Sequence, residues 1–204
     1  MNKKFSKGEA IKFGWEGMKK NFWLFAGVMI ILLVLSSISS SGNANAKTFS
    51  LWGAVITLLV AVIDTIIQMG IIRATLKVVD GAKPTIDDIF AERKLFWRYL
   101  GCTILYGLIV LGGLILLVVP GIIWAIKYQF ARYLIIDKKM GIMDSLRRSG
   151  EITMGQKGQL FLFCLLMLGV TILGALALGI GLFAAIPTVM IAGAFVYRKL
   201  SVAV

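Results

Sequence analysis

The sequence predicts an all-α membrane protein: six transmembrane helices forming three parallel repeats, each an amphipathic helix followed by a transmembrane hairpin. Three observations carry this reading. First, the 204 residues are 59% hydrophobic with a mean hydropathy of +0.90, beyond the roughly 45–50% apolar content of soluble domains. Second, six apolar runs, at 22–40, 51–72, 99–119, 121–136, 159–178 and 180–197, approach the roughly 20 residues that cross about 30 Å of hydrocarbon. Third, basic residues alternate from one connection to the next. Unbroken runs such as MIILLVL exclude the period-two pattern of a membrane barrel.

Taken in order, each unit opens with a helical amphipathic segment. In repeat 1 (about 6–74), Ile11, Trp15, Met18 and Phe22 share a face opposite Glu9, Lys12, Glu16 and Lys19. KNFW at 20–23 then starts the first span. In repeat 2 (about 84–137), Ile86, Ile89, Phe90 and Trp97 oppose Asp87, Asp88 and Glu92, and Thr85 and Asp88 have capping-box spacing. KLFW at 94–97 starts the third span. In repeat 3 (about 141–200), Ile142, Met143 and Leu146 oppose Asp144, Arg147, Arg148 and Glu151, and KGQLF at 157–161 starts the fifth. Trp15, Phe22, Trp23, Phe96, Trp97 and Phe161 are expected as interfacial anchors, because amphipathic rings prefer headgroup level. Asp80 precedes Asp87 by seven residues and Asp137 precedes Asp144 by seven, which aligns the last two units. The three units form one membrane domain over 1–204, repeated about an axis along the membrane normal.

Charge orients the chain. Lys3, Lys4, Lys7, Lys12, Lys19 and Lys20 precede the first span; Arg73, Lys77, Lys83, Arg93, Lys94 and Arg98 lie between the second and third. Lys138, Lys139, Arg147, Arg148 and Lys157 lie between the fourth and fifth, and Arg198 and Lys199 follow the sixth. The remaining connections hold only Lys47. This pattern predicts an inner-membrane protein with both termini cytoplasmic. The net charge of +12 then suits anionic lipid, or a partner membrane protein, better than nucleic acid. A rival reading treats the basic start, the first apolar run and ANA at 44–46 as a cleavable signal. The first run is longer than an ordinary signal core, which favours a retained span.

The stretch IIWAIKYQFARYLII at 122–136 is interrupted by Lys127, Gln129 and Arg132. It is expected to cross, since otherwise Arg147, Arg148 and Lys157 would face outward. Central Arg or Lys costs roughly 2.5–3.5 kcal/mol, so these cations must snorkel or find partners. Asp64 is too short to reach water from mid-span and must be protonated, paired or beside a wet cavity. Counting from the outer ends puts Asp64 and Arg132 at similar depths. An Asp64–Arg132 pair is therefore predicted, with Gln68, Gln129 and Lys127 completing a polar cluster.

Small residues (Gly107, Gly112, Gly113, Gly169, Gly174, Gly179) are expected at helix contacts. Pro120 is expected to open the fourth helix and Pro187 to kink the sixth. Cys102 and Cys164 read as packing residues. There is no histidine, metal-ligand set, P-loop or nucleophile elbow, so a non-enzymatic module without a cofactor is expected.

Pro120–Gly121, Asp137, Asp144, Gly179–Gly181, Pro187 and YRKL at 197–200, with FGWEGMKKNFWLF near the start, resemble bacterial multi-pass proteins of unknown function. These are grouped with the membrane domain of glycerophosphoryl diester phosphodiesterases. The sequence departs from them at Gly150 in RRSGE, where an aromatic usually follows the serine. The hydrolytic domain of those enzymes, with its metal and histidines, is missing, so the resemblance implies a membrane module without that activity. Three functional readings follow: a lipid- or partner-organising module, a small transporter or channel using Asp64 and Arg132, and an accessory part of a lipid enzyme.

Overall fold

The computed structural model describes residues 5–44, 51–177 and 179–202, and every regular element among them is helical. Helix α1 (Lys7–Lys20) is started by Ser6, whose hydroxyl accepts the Glu9 N–H at 3.3 Å. Helices α2 (Phe22–Ala44) and α3 (Leu51–Val79) form the first hairpin. Lys47 and residues 45–46 of the ANA motif lie outside the described residues. A short helix α4 (Asp87–Ala91) and a 3-10 turn (Arg93–Leu95) lead into α5 (Phe96–Leu116). The return is made by α6 (Val118–Tyr128) and α7 (Ala131–Lys138), and the last unit is α8 (Ile142–Ile152), α9 (Lys157–Leu176) and α10 (Leu182–Val202). Five of these, α2, α3, α5, α9 and α10, are long and apolar enough to cross a membrane.

The fourth expected span, 121–136, is not one continuous helix. It breaks at Gln129–Phe130 into α6 and α7. The cause lies in α8. Phe130 donates its N–H to Ser149 Oγ (3.2 Å), while Lys127 O accepts from Ser149 Oγ (2.9 Å) and Thr153 Oγ1 (3.2 Å). Backbone groups orphaned by a break need partners wherever water is absent, and two hydroxyls of a neighbouring helix supply them. Across the break, the chain still retraces α5 from end to end. Gly113 touches Gly121 at the turn, Tyr106 donates to Ala125 O (3.3 Å), and Arg98 donates to Lys139 O (3.0 Å).

The three amphipathic helices dock in a cycle. α1 runs antiparallel along the second half of α10: Phe13 stacks on Phe195 at 4.8 Å, and Lys199 reaches Glu9. α4 packs on α3, and α8 packs on the α6–α7 break. Each thus sits on the return segment of the preceding unit, and α1 closes the ring on the last. The core lies around the second half of α10, where Ile191, Ala192, Ala194, Val196, Tyr197 and Leu200 are buried.

The docked faces add to the sequence reading. α1 buries Ala10, Gly14, Gly17 and Met18, leaving Trp15 exposed, so its inward face is the small-residue one. A Cβ at Gly14 would lie 2.4 Å from Thr188 O, and one at Gly70 would lie 2.2 Å from the Ile89 backbone. Close approach of backbones at these glycines, with Phe13 and Met18 of α1 and Ile89 of α4 packed in the apolar core, fixes the two helices. Gly113 and Gly174 lie at helix contacts as expected, but Gly107, Gly112 and Gly169 face open space. α6 begins at Val118, placing Pro120 inside its first turn, and α10 continues through Pro187.

Candidate functional site

The three return segments, α3, α7 and α10, converge at the end of the bundle that carries the Lys- and Arg-rich connections, here termed the basic end. Arg198 near the end of α10 holds Asp80 with two parallel bonds, Nε–Oδ1 at 2.9 Å and Nη2–Oδ2 at 2.7 Å. Its Nη1 reaches Asp137 Oδ2 at 2.8 Å, and the Tyr197 hydroxyl donates to the same oxygen at 2.8 Å. One guanidinium thereby ties together the ends of all three return segments. A second clamp joins α3 to α4: Asp88 accepts from Arg73 (3.3 Å), Lys77 (2.7 Å), the Thr85 N–H (2.8 Å) and the Thr85 hydroxyl (3.0 Å), while Glu92 pairs with Arg73. Asp88 and Glu92 are buried, which corrects their expected place on a solvated face.

Neither clamp was foreseen as such. The signal for the first was present in the matched positions of Asp80 and Asp137, read only as repeat register. For Arg198 the sequence offers its place in YRKL and its charge, neither of which names its partners.

Above the Arg198 clamp lies a cavity of about 200 Å³, lined by Gln68, Ile71, Ile72 and Thr75 of α3, Tyr99 of α5, Arg132 and Tyr133 of α7, and Met190 of α10. Gln68 and Arg132 therefore come together as predicted, at one cavity. Asp64 does not pair with Arg132. It accepts from Gln68 Nε2 at 2.8 Å, and no described carboxylate lies within ion-pair distance of Arg132. Asp80 and Asp137 share a level because both hold Arg198. Arg132 is five residues before Asp137, about 7–8 Å up, whereas Asp64 is sixteen before Asp80, about 24 Å up. Depth counted from the outer ends hid this offset. The Arg132 guanidinium instead lies over the Tyr106 ring, 5.7 Å from its centroid.

Lys127 and Gln129 leave the predicted cluster. Lys127 sits over the Tyr128 ring at 4.9 Å and lines a separate groove of about 530 Å³ with Arg147 and Glu151. Gln129 Oε1 lies 3.6 Å from Cys164 Sγ, and its Nε2 is buried without a hydrogen-bond partner. Both cysteines are free. Among the described residues there is no group of His, Cys, Asp or Glu that could hold a metal ion.

Of the expected anchors, Trp15, Phe22, Trp23, Trp97 and Phe161 are exposed, Trp23 and Trp97 most of all at 86% and 77%. Phe96 is partly buried against the α5–α7 core. The Lys19 ammonium lies over the Trp15 ring at 5.8 Å. Between the ends of α1 and α3 runs an open groove of about 620 Å³, lined in part by Phe13, Lys20, Asn21 and Lys83.

Residues 108–203 match a family model described as "Protein of unknown function (DUF975)". Similar curated proteins include the uncharacterized protein Mb2590 of Mycobacterium bovis, 31% identical over 132 residues, and the uncharacterized protein Rv2560 of Mycobacterium tuberculosis, 31% identical over 137 residues. Each match covers 65% of this chain and 40% of the relative, so the chain spans about two fifths of their length. No solved structure matches it. These descriptions carry no link to a phosphodiesterase membrane domain.

Proposed function

We infer that the chain is a non-enzymatic, six-pass module of the bacterial inner membrane, built as three parallel repeats, which organises anionic lipid at the cytoplasmic leaflet. The carrying observation is the pairing of unneutralised cations with exposed rings at the basic end. Among the described residues Lys12, Lys19, Lys20, Lys94 and Lys157 have no acidic partner, while Trp15, Trp23, Trp97 and Phe161 stand exposed close to them in sequence. A ring at headgroup level and a cation worth about 1 kcal/mol near an anionic surface act together. The cyclic docking of α1, α4 and α8 supports the threefold repeat. The length-matched return of α6–α7 along α5 supports the sixth crossing, with the hydroxyls of α8 satisfying the break. A partner membrane protein seated on the same rings is the other occupant this surface suits.

The test is mass spectrometry of the chain isolated in native lipid nanodiscs. Anionic phospholipid should co-purify in excess over its membrane share, and the excess should fall when Lys19, Lys20, Lys94 and Lys157 are changed to Gln. Retention of bulk lipid composition by the unaltered chain, or a stoichiometric protein in place of lipid, would remove this reading. For the topology, single cysteines at Lys7 and Ser201, in a background lacking Cys102 and Cys164, should be labelled by an impermeant reagent only after lysis.

A further inference from the structure

We propose that the cavity beside Arg132 is a binding site for a small oxyanion, a phosphate or carboxylate group, which accepts hydrogen bonds from the guanidinium. The inference rests on the six-pass reading, in which Arg132 lies within the apolar layer.

Arg73, Arg148 and Arg198 each meet a carboxylate; Arg132 meets none. Its cationic face rests on the Tyr106 ring and the Tyr99 hydroxyl lies beside it, but a guanidinium carries five N–H donors in a planar fork, more than a ring and one hydroxyl can satisfy. Such a fork fits the paired oxygens of a phosphate or carboxylate. Gln68 adds an amide proton left over from its bond to Asp64, and the hydroxyl-bearing side chains of Tyr99 and Tyr133 share the lining. Asp64, the nearest acid along α3, accepts from Gln68 and makes no ion pair with Arg132. The lining thus offers positive charge and donors without a neutralising carboxylate.

Access follows from the packing. Tyr133 stacks on Tyr197 at 5.3 Å, and Tyr197 is bonded to Asp137 in the Arg198 clamp. These contacts close the cavity toward the basic end. Gln68, by contrast, is exposed on the flank of the bundle that faces lipid in the six-pass reading, so a group carried on a lipid passes this side chain to reach Arg132, and a free anion needs a wetted path there. About 200 Å³ admits a phosphate or carboxylate with part of the group it is attached to, not a nucleotide.

The test uses the full chain in phosphatidylcholine nanodiscs, with thermal unfolding as readout. One arm titrates inorganic phosphate; the other replaces a tenth of the lipid with phosphatidic acid. At least one arm should raise the midpoint by several degrees. The Lys19→Gln/Lys20→Gln variant should keep that rise, since it removes only interfacial charge; Arg132→Gln and Gln68→Trp should each lose it. A rise with free phosphate identifies a soluble anion, and a rise with phosphatidic acid alone identifies a lipid headgroup. Should Arg132→Gln fail to fold, Gln68→Trp decides, because it fills the mouth and leaves the charge in place. No rise in either arm, or an undiminished rise in Gln68→Trp, overturns the site. Loss of the rise in the lysine variant would mean that the interface alone produces it, which overturns the site while leaving the lipid-organising reading intact.

Discussion

Arg198 Nη1 stands 2.8 Å from Asp137 Oδ2, and the same guanidinium grips Asp80 from its other edge. Asp80 and Asp137 close the first two return segments, and α10 contributes the guanidinium that joins them, with Lys138 a second, more distant cation at Asp137 (3.6 Å). The side chains are not equally sheltered: Asp137 is 10% exposed and Asp80 48%. Removing one partner of a sheltered pair leaves an uncompensated charge, whereas an exposed pair contributes little. Arg198→Gln should therefore destabilise the protein by about 2–4 kcal/mol. Asp137→Asn should cost more than Asp80→Asn, and Asp137 should couple more strongly to Arg198 in a double-mutant cycle. Denaturant unfolding in mixed micelles measures all three; equal coupling for both aspartates would contradict the structural ranking.

Ser149 and Thr153 hold the α6–α7 break in place. Ser149→Ala would leave the Phe130 N–H without its partner and Lys127 O with only one, at about 1–3 kcal/mol. Thr153→Val should cost less, because Ser149 continues to serve Lys127 O. Hydrogen exchange at Phe130 should accelerate in Ser149→Ala and hardly change in Thr153→Val. Identical exchange in both would show that the break does not depend on α8.

Much of this architecture was legible as pattern, and the misses share a cause. Apolar length located the long helices, since it is a composition effect summed over many residues. The break at Gln129–Phe130 was not legible, because its cause lies about twenty residues away in Ser149 and Thr153, and hydroxyls on α8 read as ordinary polar residues. α1 illustrates a second limit. Periodicity grouped Ile11, Trp15, Met18 and Phe22 on one face, but it did not show that Gly14 and Gly17 permit the close contact with α10, with Phe13 and Met18 packed beside them. Asp88 shows a third: its capping spacing with Thr85 was visible, but not the cations of α3 that draw it into the core.

Gly70 offers a sharp packing test. An added Cβ would meet the Ile89 backbone at 2.2–2.6 Å, so Gly70→Ala must push α4 away from α3 and strain the Asp88 clamp. Overpacking of this kind costs about 1–3 kcal/mol. Gly107→Ala meets open space and should be neutral or slightly stabilising, since alanine suits helices better than glycine. The pair, compared by thermal midpoint in one detergent, separates close-packing glycines from incidental ones. A neutral Gly70→Ala would mean that α4 does not rest on α3.

The offset between Asp64 and Arg132 reverses the result expected from sequence alone. A direct ion pair would make Asp64→Asn costly and would let Arg132→Gln partly restore the loss. With Asp64 bonded to Gln68 instead, asparagine keeps an oxygen that accepts the same amide proton, so Asp64→Asn should cost under about 1 kcal/mol. Arg132→Gln forfeits the contact with the Tyr106 ring, which is worth about 0.5–2 kcal/mol, but removes a partly buried cation that has no carboxylate partner, so its net effect should be small or favourable. Residues without a shared contact usually combine additively within about 0.3–0.5 kcal/mol. Gln68 touches both neighbourhoods, and Gln68→Leu should leave Asp64 without its hydrogen bond and make Asp64→Asn nearly free. A coupling above about 1 kcal/mol between Asp64 and Arg132, measured in the same micelles, would mean that the two side chains meet in the membrane after all.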